Sequence, residues 1–324
     1  MEIIDRIKDP VVKELIEYKQ LFDKALQHPD DLLGRVLSHI RQRKGKMMRP
    51  ILVLLVAREM GGITEATLHS AVTLELLHTA SLVHDDIVDE SNERRGQASV
   101  NALFNNKIAV LVGDYLLSTS LEQASLTGDV RIVRIISCLG KSLSEGEVFQ
   151  LSNIQNKEIL ESAYFDIIRQ KTAALFAVSA QLGAVSAGAD DEQAENARRF
   201  GEIVGTCFQI RDDIFDYFDS KEIGKPTGND MLEGKLTLPV IFALYKAREE
   251  KMFTIAQKVK EGTASDEQIS ELVKFTKEQG GIEYAEGVME DLREEGLRVL
   301  ANFKNDEVRN ALTEYLNFVV KRSI

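Results

Sequence analysis

TLELLHTASLVHDDIVD, residues 73–89, carries apolar side chains at 74, 76, 77, 80, 82, 83, 87 and 88. Spacings of three and four residues are those of an α-helix whose surroundings are largely buried. The stretch then runs into Asp85, Asp86 and Asp89. Asp85 and Asp89 fall one turn apart on one face, with Asp86 beside them. Like charges at that spacing weaken a helix by a few tenths of a kcal/mol per pair, so the fold gains nothing from them. Arg94, Arg95 and Gly96 follow.

The helical period returns in IVRIISCLGKSLSEGEVFQL (132–151) and AENARRFGEIVGTCFQIRDDIFDYF (194–218). No convincing series of alternating strands interrupts it. Pro29, Pro50, Pro226 and Pro239 fall at predicted starts, ends or turns, where helices tolerate proline. Breaks are expected at Gly61-Gly62, around Gly96, at Thr127–Asp129, at Gly188–Asp191 and across the polar loop 219–235. No Ser/Pro-rich linker divides the chain. The pattern predicts one all-α domain over residues 1–324, with ten or more helices.

Bulk properties narrow the function. A net charge of −12 over 324 residues argues against nonspecific nucleic-acid binding. Cys138 and Cys207, both in apolar helical contexts, read as reduced core residues. The longest apolar run, ILVLLVA (51–57), is too short to span a bilayer. No signal peptide is expected, and the expected location is cytoplasmic.

HDDIVD at 84–89 returns as RDDIFD at 211–216, so Asp212, Asp213 and Asp216 repeat the pattern. Carboxylates are hard oxygen ligands, and Mg²⁺ typically binds through one or two of them plus substrate phosphates. One such motif alone would read as a solvated acidic face. Two copies on otherwise apolar helices, each followed by basic residues, favour metal. The basic residues are Lys46 and Arg49 in KGKMMRP, Arg94 and Arg95, Lys171 in QKTA, Lys225 in GKPTGND and Lys235 in EGKLTLP. Singly each reads as a surface charge; together they could hold two diphosphates, one through metal and one through direct charge-assisted bonds.

With GKMMRP, ELLHTASLVHDDIVDESNERRG, LVGDYLL, EGEVFQL, RQKTAALF, FQIRDDIFDYF and GKPTGNDMLEGKLTLP in that order, the chain resembles the trans-type polyprenyl diphosphate synthases along most of its length. The likeness is greatest to the long-chain octaprenyl and heptaprenyl enzymes. The resemblance implies a helical bundle around a central cavity and head-to-tail addition of isopentenyl diphosphate to an allylic diphosphate such as farnesyl diphosphate. It implies two or three Mg²⁺ ions held by Asp85, Asp86, Asp89, Asp212, Asp213 and Asp216. Arg94, Lys171, Thr172, Gln209, Lys225 and Lys235 match positions around the allylic substrate, with Lys171 also acting on the leaving group. Gly45, Lys46, Arg49, His78 and Arg95 match the isopentenyl diphosphate pocket. Lys44 and Met47 depart from the family, which often has a second glycine and another basic residue there. A homodimer and a role in quinone side-chain synthesis are further family expectations.

In the family, bulky aromatics four or five positions before the first aspartate close the product tunnel. Here those positions are Ser81 and Ala80, both small. A helix from about Thr64 to Asp89 would span ~39 Å and flank a tail of about eight isoprene units. Leu74 and Leu77 would line it more deeply, and Phe149 is a candidate floor. Three rivals are weaker. A class I terpene cyclase needs no second diphosphate pocket, and a noncatalytic partner subunit could lose its aspartates without penalty. A di-iron bundle needs two Glu-x-x-His pairs, and only Glu75 with His78 fits. A short-chain synthase, or a catalytic subunit needing an unlike partner, remains as the alternative.

Overall fold

The structure is a computed structural model that describes residues 3–42, 45–94, 96–155, 158–218 and 227–322. Helices dominate it, as the periodicity predicts. One short antiparallel ribbon pairs Glu93–Arg94 with Gln97–Ala98. Two residues per strand are too few to show alternation, so no sequence signal marks it.

The chain packs as two compact units, each drawn from three stretches. The first comprises residues 1–141, 175–201 and 302–314; the second comprises 142–174, 202–301 and 315–324.

In the first unit, the helix Met48–Met60 contains the ILVLLVA run and is apolar all round, with residues 50–57 all buried. Gly183, on the helix Ala174–Ser186, lets the two backbones approach. A Cβ there would lie 2.4 Å from the Val53 carbonyl oxygen and 3.0 Å from Val56 Cβ. The helix Glu65–Val88 begins at a capping box between Thr64 and Thr67 and ends with Asp89 as its C-cap, close to the bounds read from sequence. It packs along the helix Asn106–Leu126, and buried polar groups fix its rotation. His69 Nδ1 meets Gln123 Oε1 at 2.8 Å, and the Ser120 hydroxyl donates to the Thr73 carbonyl at 2.8 Å. Gly113, in LVGDYLL, faces the His84 ring, which a Cβ would overlap. His84 is thus a packing residue.

The second unit is built on the C-terminal part of the helix Asp191–Phe215, with helices Glu161–Ile168, Leu238–Ala247, Glu250–Lys260, Asp266–Glu278 and Gly281–Leu300. The helix Glu161–Ile168 continues through a π-helical turn, Arg169–Ala173. Such turns insert a residue and are frequent at functional sites.

One core expectation is corrected. Cys207 is buried, and desolvation pushes its thiol up to about 12. Cys138 is exposed, because the helix Val130–Gln155 turns that side chain away from its apolar face.

Gly183→Ala is expected to destabilise the protein by about 1–3 kcal/mol through overpacking, read as a lower midpoint in urea with an unchanged slope.

Candidate active site

In the first unit Asp85 is half-buried, Asp89 is exposed and Asp86 is fully buried. Burial of a carboxylate demands a partner, and Arg94 supplies one. Its Nε donates to Asp86 Oδ1 at 2.5 Å. The short ribbon brings Arg94 back along the helix it has just left, and Gly96, at φ 74°, makes the turn. The turn is tied down by Asn101, which donates to the Asp86 and Ser91 carbonyls at 3.3 and 3.1 Å. The Ser99 hydroxyl also donates to the Ser91 carbonyl, at 2.7 Å.

Arg49, in the first turn of Met48–Met60, donates through Nε to Glu75 Oε1 at 2.6 Å, both side chains being 17% exposed. Gly45 and Lys46 precede it on the surface, and His78 is half-buried one turn beyond Glu75. Arg95 lies outside the described residues.

Of the chain-length positions, Leu74, Leu77 and Ala80 are buried. Ser81 is half-buried, its hydroxyl donating to the His78 carbonyl at 2.9 Å. Leu77 Cδ1 reaches within 3.7 Å of where a Gly140 Cβ would stand. Phe149 is 37% exposed.

In the second unit the RDDIFD motif stands at a helix end as HDDIVD does at Val88, and its helix ends at Phe215. Asp212 and Asp213 lie in its last turn and Asp216 beyond it. Asp216 accepts from the backbone N–H groups of Asn229 and Asp230 at 2.9 and 3.1 Å, anchoring the short helix Asn229–Leu232. Asp212 is paired with Arg322. That guanidinium lies 4.1 Å over the Phe208 ring and donates to the Phe208 carbonyl at 3.2 Å. Asp213 is 3% exposed. Tyr164 donates to its Oδ2 at 2.6 Å and Gln209 Nε2 to its Oδ1 at 2.7 Å. Burial, reinforced by the nearby Asp230 carboxylate, pushes the Asp213 carboxyl well above its ordinary value, against those two hydrogen bonds.

Lys171 and Thr172 sit in the π-helical turn. Lys171 is paired with Glu147 of EGEVFQL. The Thr172 hydroxyl donates to Gln209 Oε1 at 2.6 Å. Lys235 reaches Glu233 Oε2 at 2.6 Å. A cavity of about 180 Å³ within this unit is lined by Lys171, Thr172, Gln209, Asp213 and Lys235 together. Lys225 lies outside the described residues, and none of the five chain-length positions lines this cavity.

The same cavity includes three residues that the sequence did not single out, Tyr164, Asp230 and Lys260. Asp230 stood in the quoted GKPTGND segment and could have been noticed as a further carboxylate. Tyr164 and Lys260 carry no local signal. Lys260 donates to the Glu158 carbonyl at 3.0 Å, and burial lowers its pKa.

Among the described residues no three His, Cys, Asp or Glu side chains form a preformed metal cage. Mg²⁺ does not require one, since it keeps waters and takes one or two carboxylates with substrate phosphate oxygens. The acidic groups of both motifs, hard oxygen donors at helix ends, fit that ion.

A sequence model described as polyprenyl synthetase matches residues 30–276. The chain is 32% identical over 321 residues to octaprenyl diphosphate synthase of Haemophilus influenzae, covering 99% of this chain and 97% of that one. It is 33% identical over 311 residues to heptaprenyl diphosphate synthase component 2 of Geobacillus stearothermophilus, covering 95% and 96%. Among solved structures, geranylgeranyl pyrophosphate synthase of Bacteroides thetaiotaomicron aligns at TM-score 0.88 and 52% identity, over 99% of this chain and 100% of that one. The chain belongs to the polyprenyl synthetase family: it is an all-α prenyltransferase that makes prenyl diphosphates.

The raised Asp213 pKa has a consequence for stability. Just above the ordinary value of 3.8, the folded protein keeps a proton that the unfolded chain has released. Stability from this group is full below that value and is lost as pH rises through the folded pKa. Urea melts of protein in a chelator between pH 4 and 8 are expected to show this decline. Asp213→Asn is expected to flatten it and to raise the neutral-pH midpoint.

Proposed function

We propose that the chain is a Mg²⁺-dependent, long-chain trans-polyprenyl diphosphate synthase with a product of about six to ten isoprene units, eight being the best value. The observation that carries the chemistry is the convergence of Lys171, Thr172, Gln209, Asp213 and Lys235 on one cavity. It offers cations for a departing diphosphate and oxygen dipoles for an allylic cation in the same space. Groups aimed at charge that develops only in the transition state raise turnover rather than affinity.

In this reading Asp85, Asp86, Asp89, Asp212, Asp213 and Asp216 hold two or three Mg²⁺ ions, which neutralise the diphosphate when bound. Lys171, Lys225, Lys235 and Arg94 bind the allylic diphosphate. Gly45, Lys46, Arg49, His78 and Arg95 bind isopentenyl diphosphate and hold its double bond in line. We infer one catalytic domain spanning residues 1–324, action in the cytoplasm and a product destined for a quinone side chain.

Small Ala80 and Ser81 support the long product. The 52% identity to the Bacteroides protein favours a second reading, a product of about four units. The Geobacillus protein's designation as component 2 favours a third, a need for an unlike partner. We infer a homodimer instead. Supporting it, Leu103, Val110, Leu111, Leu117 and Leu121 are all exposed along Val100–Phe104 and Asn106–Leu126. Apolar exposure on that scale marks an interaction surface.

Purified protein given farnesyl diphosphate, isopentenyl diphosphate and Mg²⁺ is expected to give a ladder ending near eight units by mass spectrometry, and none without Mg²⁺. Ala80→Phe is expected to shorten the ladder. A wild-type stop at about four units would establish the short-chain reading, and no condensation at all would point to a missing partner. By sedimentation the chain is expected at twice its 36.3 kDa, and Leu117→Glu with Leu121→Glu is expected to halve that mass.

A further inference from the structure

The hydrogen bonds around Asp213 form a chain with a fixed sense. Both carboxylate oxygens are occupied, Oδ2 by the Tyr164 hydroxyl at 2.6 Å and Oδ1 by Gln209 Nε2 at 2.7 Å. Once the Asp213 carboxyl has ionised, both its oxygens only accept, and Gln209 presents its NH₂ side to Asp213. Its Oε1 then faces Thr172, whose hydroxyl donates to it at 2.6 Å. The Thr172 hydrogen is thereby directed toward Gln209, and the oxygen's lone pairs remain for the cavity that Thr172 lines. The reverse sense would leave the Thr172 hydrogen to point into the cavity and repel a developing allylic cation.

We propose that Tyr164 is a positioning residue that fixes this sense. This rests on the prenyl-transfer reading above. Its ring is buried and packs edge-on against Phe165 at 5.3 Å, so the hydroxyl has a set direction. Asp213 is a short side chain at a helix end. Without the Tyr164 bond it can rotate away from Gln209, and the Gln209 amide is then free to turn over. The Thr172 hydroxyl follows. Tyr164 touches neither diphosphate chemistry nor metal in this account; it acts through Asp213, Gln209 and Thr172 in turn. Networks of this kind are apportioned only by combining deletions.

The test is a double-mutant cycle of Tyr164→Phe and Thr172→Val, with farnesyl and isopentenyl diphosphates as substrates and Mn²⁺ binding followed by electron paramagnetic resonance. Tyr164→Phe is expected to lower kcat about tenfold, with both KM values and the Mn²⁺ affinity within about twofold of wild type. Thr172→Val is expected to do the same, and the double variant to be no slower than either single one. Additive losses would overturn the proposal, as would an unchanged kcat in Tyr164→Phe. A fall in Mn²⁺ affinity that matches the kcat loss would also overturn it, placing Tyr164 with the metal. Should Tyr164→Phe fail to fold, as judged by circular dichroism, Tyr164→Leu paired with Thr172→Val carries the same cycle, and additive losses there overturn the proposal too. A wild-type protein that makes no product would sink the prenyl-transfer reading itself, whereas an active wild type with an unaffected Tyr164→Phe sinks only the positioning role.

Discussion

A carboxylate withdrawn from water must be met by hydrogen bonds or an opposite charge. The middle aspartate of each acidic motif obeys this requirement in its own way. Asp86 is met by the Arg94 guanidinium, and Asp213 by the Tyr164 hydroxyl and the Gln209 amide. Each bond fixes the end of a helix at the point where its remaining aspartates emerge. Asp85 and Asp89 at one end, and Asp212 at the other, therefore present carboxylates from a backbone that cannot drift. The inner carboxylate anchors the helix end from which the other aspartates emerge. Rigidity matters because orientation supplies much of the rate in a reaction between two bound substrates.

The same accounting applies to the cations. Arg49 holds Glu75, Arg94 holds Asp86, Lys171 holds Glu147 and Arg322 holds Asp212. Each of these basic side chains already has an anion within the protein. In the prenyl-transfer reading proposed above, a diphosphate bound by Arg49, Arg94 or Lys171 exchanges one anion for another, which moderates the attraction in the ground state. Arg322 enters this set from the C-terminal end of the described chain, and no feature of the sequence pattern marked it.

Helical architecture was legible because apolar spacing reports burial directly. The helix over 65–88 emerged almost to its ends, since Thr64 offered a capping side chain and Asp89 closed the pattern. Lys171, Thr172, Gln209, Asp213 and Lys235, which line one cavity, were legible too, since each stood in a segment that the sequence singled out. What stayed hidden was the choice of partner. The two acidic motifs read alike and each helix ends one residue before the last aspartate, yet Asp216 turns to backbone N–H groups of a segment thirteen residues later. Nothing in six residues announces a partner that far along the chain. Tyr164 was hidden for a related reason. It lies forty-nine residues from Asp213, and a buried tyrosine on an apolar face is indistinguishable from packing until its hydroxyl partner is known. Cys138 shows the converse, a side chain in an apolar stretch that the helix turns outward.

The order in which the chain is made bears on how these parts assemble. The first unit needs residues 302–314 and the second needs 315–324. In the first unit, the Glu59 carboxylate accepts from the backbone N–H groups of Lys304 and Asn305 at 2.6 and 3.0 Å. That contact joins the beginning of the unit to its last stretch. A chain leaving the ribosome from its N-terminus can form helices and pair neighbours early. Neither unit is complete, however, until residues beyond 301 have been released. A nascent or truncated chain lacking its final helix therefore exposes unfinished cores in both units at once, and belongs to the species that chaperones and proteases capture.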